Sequence, residues 1–163
     1  MFNRSLNQKK IISLSAILVT TIYLYIAIIG NNDIYSLTRV LFGKNIGCNL
    51  QGINLSEITK PETSLAGADL EYAIFANANM SNSNFTGAFM RHAILSGANL
   101  QNSTFKNAVL NDSELVNTDF TGADLSGAHL ANADLTGATV TKDQLQQART
   151  LTGATMPDGT KHE

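Results

Sequence analysis

Tryptophan is absent from this sequence, cysteine occurs once, and only 15% of the residues carry charge. Each scarcity removes a class of protein. The single thiol, Cys48, excludes an intramolecular disulfide and any metal site built from several thiolates, and it leaves the redox compartment open. So little charge, with a net value of −2, fits neither a disordered acidic tail nor a basic nucleic-acid binder. The charge is nonetheless unevenly placed. Before Gly47 stand five basic residues (Arg4, Lys9, Lys10, Arg39 and Lys44) against one acid, Asp33, which leaves six basic and twelve acidic residues for the remainder. What fills the chain instead is a small alphabet of Ala, Leu, Asn, Thr, Ser and Gly, a bias that signals a repeat.

Residues 11–29 read IISLSAILVTTIYLYIAII, nineteen in a row without a charge. As a helix rising ~1.5 Å per residue this stretch is about 28 Å long, close to a bilayer core of roughly 30 Å. The basic leader of residues 1–10 would also suit a secretory signal. Signal cores, however, run about 7–15 residues and end in a small-x-small site. Here the exit is AIIGNND, with Ile28 where the first small residue belongs. The sequence therefore predicts a retained single-pass transmembrane helix over 11–29, with a secreted soluble form after signal cleavage as the alternative. Arg4, Lys9, Lys10 and the α-amino group outweigh Arg39 and Lys44, which places the N-terminus in the cytoplasm and the rest in a periplasm or an organelle lumen.

Beyond residue 48 a large apolar residue recurs at every fifth position: Leu65, Leu70, Phe75, Met80, Phe85, Met90, Leu95, Leu100, Phe105, Leu110, Leu115, Phe120, Leu125, Leu130, Leu135 and Val140. Two residues before each of these centres, from Ala68 to Ala138, stands Ala, Ser or Thr, fifteen times without a miss. A period of five matches neither the 3.6 of a helix nor the 2.0 of a strand, so the backbone must turn once per unit. Gly or Asn two places after most centres suits such a turn, because both tolerate conformations that other residues resist.

Units such as Ala68-Asp69-Leu70-Glu71-Tyr72, Ala98-Asn99-Leu100-Gln101-Asn102, Ala123-Asp124-Leu125-Ser126-Gly127 and Ala133-Asp134-Leu135-Thr136-Gly137 resemble the A(D/N)LXX signature of the pentapeptide-repeat family. The resemblance implies an all-β solenoid over 48–142, a right-handed quadrilateral β-helix with four units to a coil and only the centre and the small residue inside. Residues twenty apart would then stack, Phe85 on Phe105 among them. Leu50 and Leu55 keep the register, but Lys60 with Pro61 follows, and a charge cannot replace Leu in such a core. Residues 58–63 are therefore expected to loop outward.

Open solenoid ends pair with other chains unless capped. Upstream, Ile34, Leu37, Val40 and Leu41 form a helical stripe closed by Gly43, which predicts an amphipathic capping helix over 33–43. Downstream, residues 143–163 read as a C-terminal helical cap and tail. Thr141 with Gln144 has the form of a capping box, opening a helix to about Arg149 with Leu145 and Ala148 inward. Leu151, Ala154 and Met156 are expected to fold back over the last coil. The tail from Met156 to His162 resembles the ends of cyanobacterial members of the family.

An interior of apolar and small residues offers no convergent titratable groups, so no catalytic, cofactor-binding or metal-binding residue is assigned and no cofactor is implied. His92 and His129 fall at outward positions and His162 in the tail, where they read as solvated. Cys48 takes an interior small position. The gyrase-protecting members of the family suggest acidic DNA mimicry as an alternative, since Glu114, Asp119, Asp124 and Asp134 precede four of five consecutive centres. More informative are apolar residues at outward positions: Ile74 and Ile94 on one face, Phe89 and Val109 on the adjoining one, and Val116 beside them. The sequence predicts a non-enzymatic, membrane-tethered scaffold or binding module, with that patch receiving a protein partner or a second copy.

Overall fold

A computed structural model describes residues 47–163. The span predicted at 11–29 and the capping helix predicted at 33–43 lie outside the described residues. Among the described residues no helix is long and apolar enough to cross a membrane.

The chain winds in a four-sided coil of twenty residues, and fifteen successive parallel bridges, from Asn49↔Asp69 to Asp119↔Thr139, pair each residue with the one twenty further on. The hydrogen bonds show why five residues make one side. At most corners the small residue donates back to the preceding centre, as Ala73 N does to Leu70 O at 3.0 Å, closing a four-residue turn, whereas Thr63 N and Ser83 N donate to the Ser83 and Ser103 hydroxyls one coil up. The third residue of the turn has positive φ, 59° at Tyr72, which is the type II arrangement. The centre and the corner residue donate up the stack (Leu70 N to Phe89 O, 2.7 Å; Tyr72 N to Arg91 O, 3.0 Å), and the residue before the centre donates down (Phe89 N to Ala68 O, 2.9 Å).

The remaining N–H of a unit, just after the centre, is taken by a side chain in most units. Asn or Asp before the centre turns its Oδ1 onto it, as Asp119 does for Thr121 N at 2.9 Å and Asp124 for Ser126 N at 2.8 Å. The Asp or Asn of the repeat signature thus closes the hydrogen-bonding of the turn.

The interior holds one continuous apolar core of centres and alanines. Phe85 stacks on Phe105 with ring centroids 4.7 Å apart, and Phe75 and Phe120 meet that pair edge-on at 6.0 and 5.6 Å. Buried hydroxyls reach carbonyls, Ser103 to Met80 and Thr118 to Leu95, which removes the cost of placing them there.

The outward loop expected at residues 58–63 does not form. Thr59 bridges Asn79, Lys60 N donates to Asn79 O at 2.9 Å, and Glu62 N donates to Ser81 O at 2.9 Å. Lys60 belongs to the first described coil, where among the described residues the ladder has a neighbour on one side only, and its side chain is half-buried. Such half-burial suits lysine, whose aliphatic stem can pack while its charge reaches water. Ile58, in the place a small residue takes elsewhere, packs against the core and supplies bulk that Lys60 does not.

At the far end the capping box is present. Thr141 accepts from Gln144 N, Gln144 Oε1 accepts from Thr141 N at 2.8 Å, and helix α1 follows as Lys142–Gln146. It stops before Arg149, because the chain there rejoins the ladder. Arg149 N donates to Ala128 O while Thr150 O accepts from Leu130 N, so two residues do the work of one and the register shifts to twenty-one (His129↔Thr150, Asp134↔Thr155). The tail then turns back, and Thr155 pairs antiparallel with Lys161 along the last edge. The end therefore carries a short helix followed by a returning hairpin.

Candidate functional site

The ladder sorts the outward residues into columns. One side carries Asn49, Asp69, Phe89, Val109 and His129 before its centres, and the next side carries Asn54, Ile74, Ile94, Glu114 and Asp134. The corner between them is the column Gly52, Tyr72, His92, Asp112 and Asn132, all at positive φ. Three layers of this corner form a small grid. The middle layer presents Phe89, Arg91, His92 and Ile94; beneath it lie Asp69, Glu71, Tyr72 and Ile74; above it lie Val109, Asn111, Asp112 and Glu114.

Of the predicted patch, the structure brings four residues together here: Ile74 bridges Ile94 and Phe89 bridges Val109. Val116 belongs to a different column, with Ala76, Ser96 and Thr136 toward the opposite corner of its side. Phe89 is 52% exposed, whereas Ile74, Ile94, Val109 and Val116 are half-buried. The sequence reading missed Tyr72, which at 59% is the other exposed large hydrophobic residue among those described. Its signal was available, since it stands where the repeat otherwise favours Gly or Asn.

The corner is organised by side-chain contacts. The Tyr72 and His92 rings stack at 5.0 Å with 15° between planes, so His92 is more than a solvated surface residue. Arg91 pairs with Asp112 at 3.4 Å, and Asp112 also accepts from Asn132 Nδ2 at 3.0 Å. His129 continues the Phe89 and Val109 column.

Elsewhere the acids serve the coil. Glu114 and Asp134 lie on one side, Asp119 and Asp124 on the next two, so they do not gather into a band on one side. Bonds from the turn hydroxyls and N–H groups of Thr121, Ser126 and Thr136 hold the carboxyls of Asp119, Asp124 and Asp134 below their ordinary range. Cys48 is buried. A cleft of about 440 Å³ opens at the C-terminal end over Val140, Leu145, Leu151 and Met156, with Lys142 and His162 at its rim. Among the described residues no group of three His, Cys, Asp or Glu is placed to hold a metal ion.

The five-residue sides, inward centres and corner turns define a pentapeptide-repeat solenoid. Residues 63–102 and again 103–141 match the family model described as Pentapeptide repeats (8 copies), and this region of the chain is a pentapeptide-repeat domain. Its fold is the right-handed quadrilateral β-helix of that family. The chain is similar to a pentapeptide repeat protein from the Arabidopsis thaliana thylakoid lumen, at 25% identity over 61% of this chain and 73% of that one, with a TM-score of 0.57. It is also similar in fold to the pentapeptide repeat protein Rfr23 of the cyanobacterium Cyanothece 51142, at 24% identity over 79% of this chain and 98% of that one, with a TM-score of 0.59. No curated protein matches the sequence.

Proposed function

We propose that this protein is a non-enzymatic scaffold or binding module, tethered to a membrane by residues 11–29, whose protein partner or second copy docks on the corner around Tyr72 and His92. One observation carries the reading. Among the described residues, the place before the centre holds an apolar residue four times only, at Ile74, Phe89, Ile94 and Val109, and all four fall on this corner. Asn or Asp at that place closes the turn; these four side chains have no oxygen with which to accept that bond. Strand propensity alone would scatter such choices over all four sides. Apolar groups in solvent gain roughly 25 cal/mol per Å² when a partner covers them, and Tyr, Arg and Phe are the residues that interfaces favour.

The charge bias around residues 11–29 puts the N-terminus in the cytoplasm and the repeats in a periplasm or lumen. The thylakoid-lumen origin of the similar Arabidopsis protein supports that setting. The double variant Phe89→Ser with Ile94→Thr tests the docking surface, because it leaves the interior centres Met90 and Leu95 in place. Wild type and variant, cross-linked in detergent-solubilised membranes, should differ in the proteins they retain while sharing one circular dichroism spectrum. An identical set of cross-linked partners would rule this surface out. The tether predicts that the chain resists alkaline carbonate washing; release of a species beginning near Asn31 would establish cleavage instead.

A further inference from the structure

The corner column around Tyr72 is chemically unlike the other three. From Gly47 to Gly137 the corner residue is Gly or Asn in every unit except Glu57, Glu62, Tyr72, His92 and Asp112, and three of those five are consecutive in this one column. A ring at φ 59° or 57° is uncommon and strained relative to Gly or Asn, so Tyr72 and His92 are not there for the sake of the turn. Tyr72 uses one ring face against His92. Its other face turns toward the layer of Gly52, whose N–H bonds to Glu71 O at 2.8 Å and which has no side chain to offer. Among the described residues the stack is open at its lower end.

The charges beside that open face are negative. Asp69 and Glu71 share the layer of Tyr72. Asp69 is engaged by Gln51 Nε2 at 2.8 Å and by Glu71 N at 3.3 Å, while the Glu71 carboxylate meets no cation among the described residues. The nearest cation in the grid, Arg91, is turned to the layer above by Asp112.

Resting on the docking reading of this corner, we infer that the uncovered face of Tyr72 receives an arginine of the protein partner, stacked flat on the ring over Gly52 and paired with Glu71. A guanidinium is planar, remains charged, and can stack and pair at once. Phe89 and Ile74 to either side receive the apolar neighbours of that arginine.

The test uses the full chain in detergent micelles and two tripeptides, acetyl-Leu-Arg-Phe-amide and its citrulline counterpart, which is planar but uncharged. Aromatic NMR resonances of Tyr72 and His92 report binding. The arginine peptide should shift both rings saturably, and the citrulline peptide should bind roughly three- to fivefold more weakly. Gly52→Asn should abolish the shifts with Tyr72 intact, because Asn accepts the left-handed φ of 64° and its Cβ would meet nothing within 4 Å. No saturable shift, or equal affinity for the two peptides, overturns the inference, as does an acetyl-Leu-Trp-Phe-amide probe that binds tighter than the arginine peptide. Binding that survives Gly52→Asn but is lost in the Phe89→Ser, Ile94→Thr variant would keep the docking surface and overturn the arginine stack alone.

Discussion

The side-chain oxygen of Asn77 occupies the place that a Cβ on Gly97, one coil above, would need. The same relation joins Asn102 to Gly122, Asn107 to Gly127, Asn117 to Gly137 and Asn132 to Gly153. Glycine in these columns answers to the coil beneath as well as to its own backbone. Gly87, at φ 64° with nothing within 4 Å of its would-be Cβ, answers to the backbone alone. Gly87→Ala should therefore cost about 1–2 kcal/mol for the left-handed conformation. Gly97→Ala should cost about 1 kcal/mol more, toward the low end for overpacking because the amide can swing aside. Adding Asn77→Gly to Gly97→Ala should return the cost to that of Gly87→Ala, as read by urea unfolding.

Insertions between Gly97 and Ala98 should separate the fold from the surface. One extra residue moves every later centre out of the core, whereas five add a unit and keep the core intact. Five also rotate everything after Gly97 by one side, which parts Val109 from Phe89 and Asp112 from Arg91. The five-residue variant should unfold as cooperatively as wild type yet lose its partner; the one-residue variant should not fold. Equal thermal stability of the two would contradict the five-residue period.

Gln144 ties the cap to the last coil. Its Nε2 donates to Phe120 O and Ala123 O, both at 2.8 Å, carbonyls at the open edge. Gln144→Glu keeps the acceptor for Thr141 N but turns a carboxylate on both carbonyls. The loss should be about 1–3 kcal/mol. Hydrogen exchange should quicken around residues 120–150 and remain slow near Phe85.

Acid should loosen the upper coils through Asp119, Asp124 and Asp134. Their carboxyls are held down in the folded chain by the turn groups of Thr121, Ser126 and Thr136. Their contribution is thus complete above the unfolded carboxylate value of about 4 and fades as pH falls below it. The three Asp→Asn changes keep the Oδ1 acceptor. Near neutral pH the triple variant should melt below wild type, because an amide forgoes the charge-assisted share of these bonds and the Gln101 bond to Asp119 Oδ2, and between about pH 4 and 2 its melting temperature should fall less steeply.

Removing a centre should be felt locally and strongly. Leu100→Ala, fully buried with rigid neighbours in its column, should cost about 2–5 kcal/mol by equilibrium unfolding. A loss below about 1 kcal/mol would mean that the coil collapses around the hole.

Much of this molecule is written in the order of its residues. Centres at every fifth place and small residues two before them can all be buried only if the chain turns once per unit, so the period fixes what lies inside. The Ile74/Ile94 and Phe89/Val109 neighbours follow once four units make a coil. The reading of residues 58–63 failed because a charge at a centre was judged by the middle of the stack, where Leu100 is closed in from both sides. Lys60 is in the first described coil, and three backbone bonds outweigh one awkward side chain that can reach water. The helix after Thr141 stops early for the complementary reason: Arg149 and Thr150 gain ladder bonds that a helix would forgo.

The sequence by itself determined the five-residue side, the inward set and the four apolar departures before the centres, because each depends only on local spacing. Only the tertiary structure decided which outward residues meet across layers. Tyr72 lies twenty residues from both His92 and Gly52, and nothing local says that one neighbour covers its ring and the other leaves it bare. Gln144 likewise reaches Phe120 only because the coil returns there. Such contacts depend on how the coils stack, a property of the wound chain as a whole, and the open face of Tyr72 exists only in that arrangement.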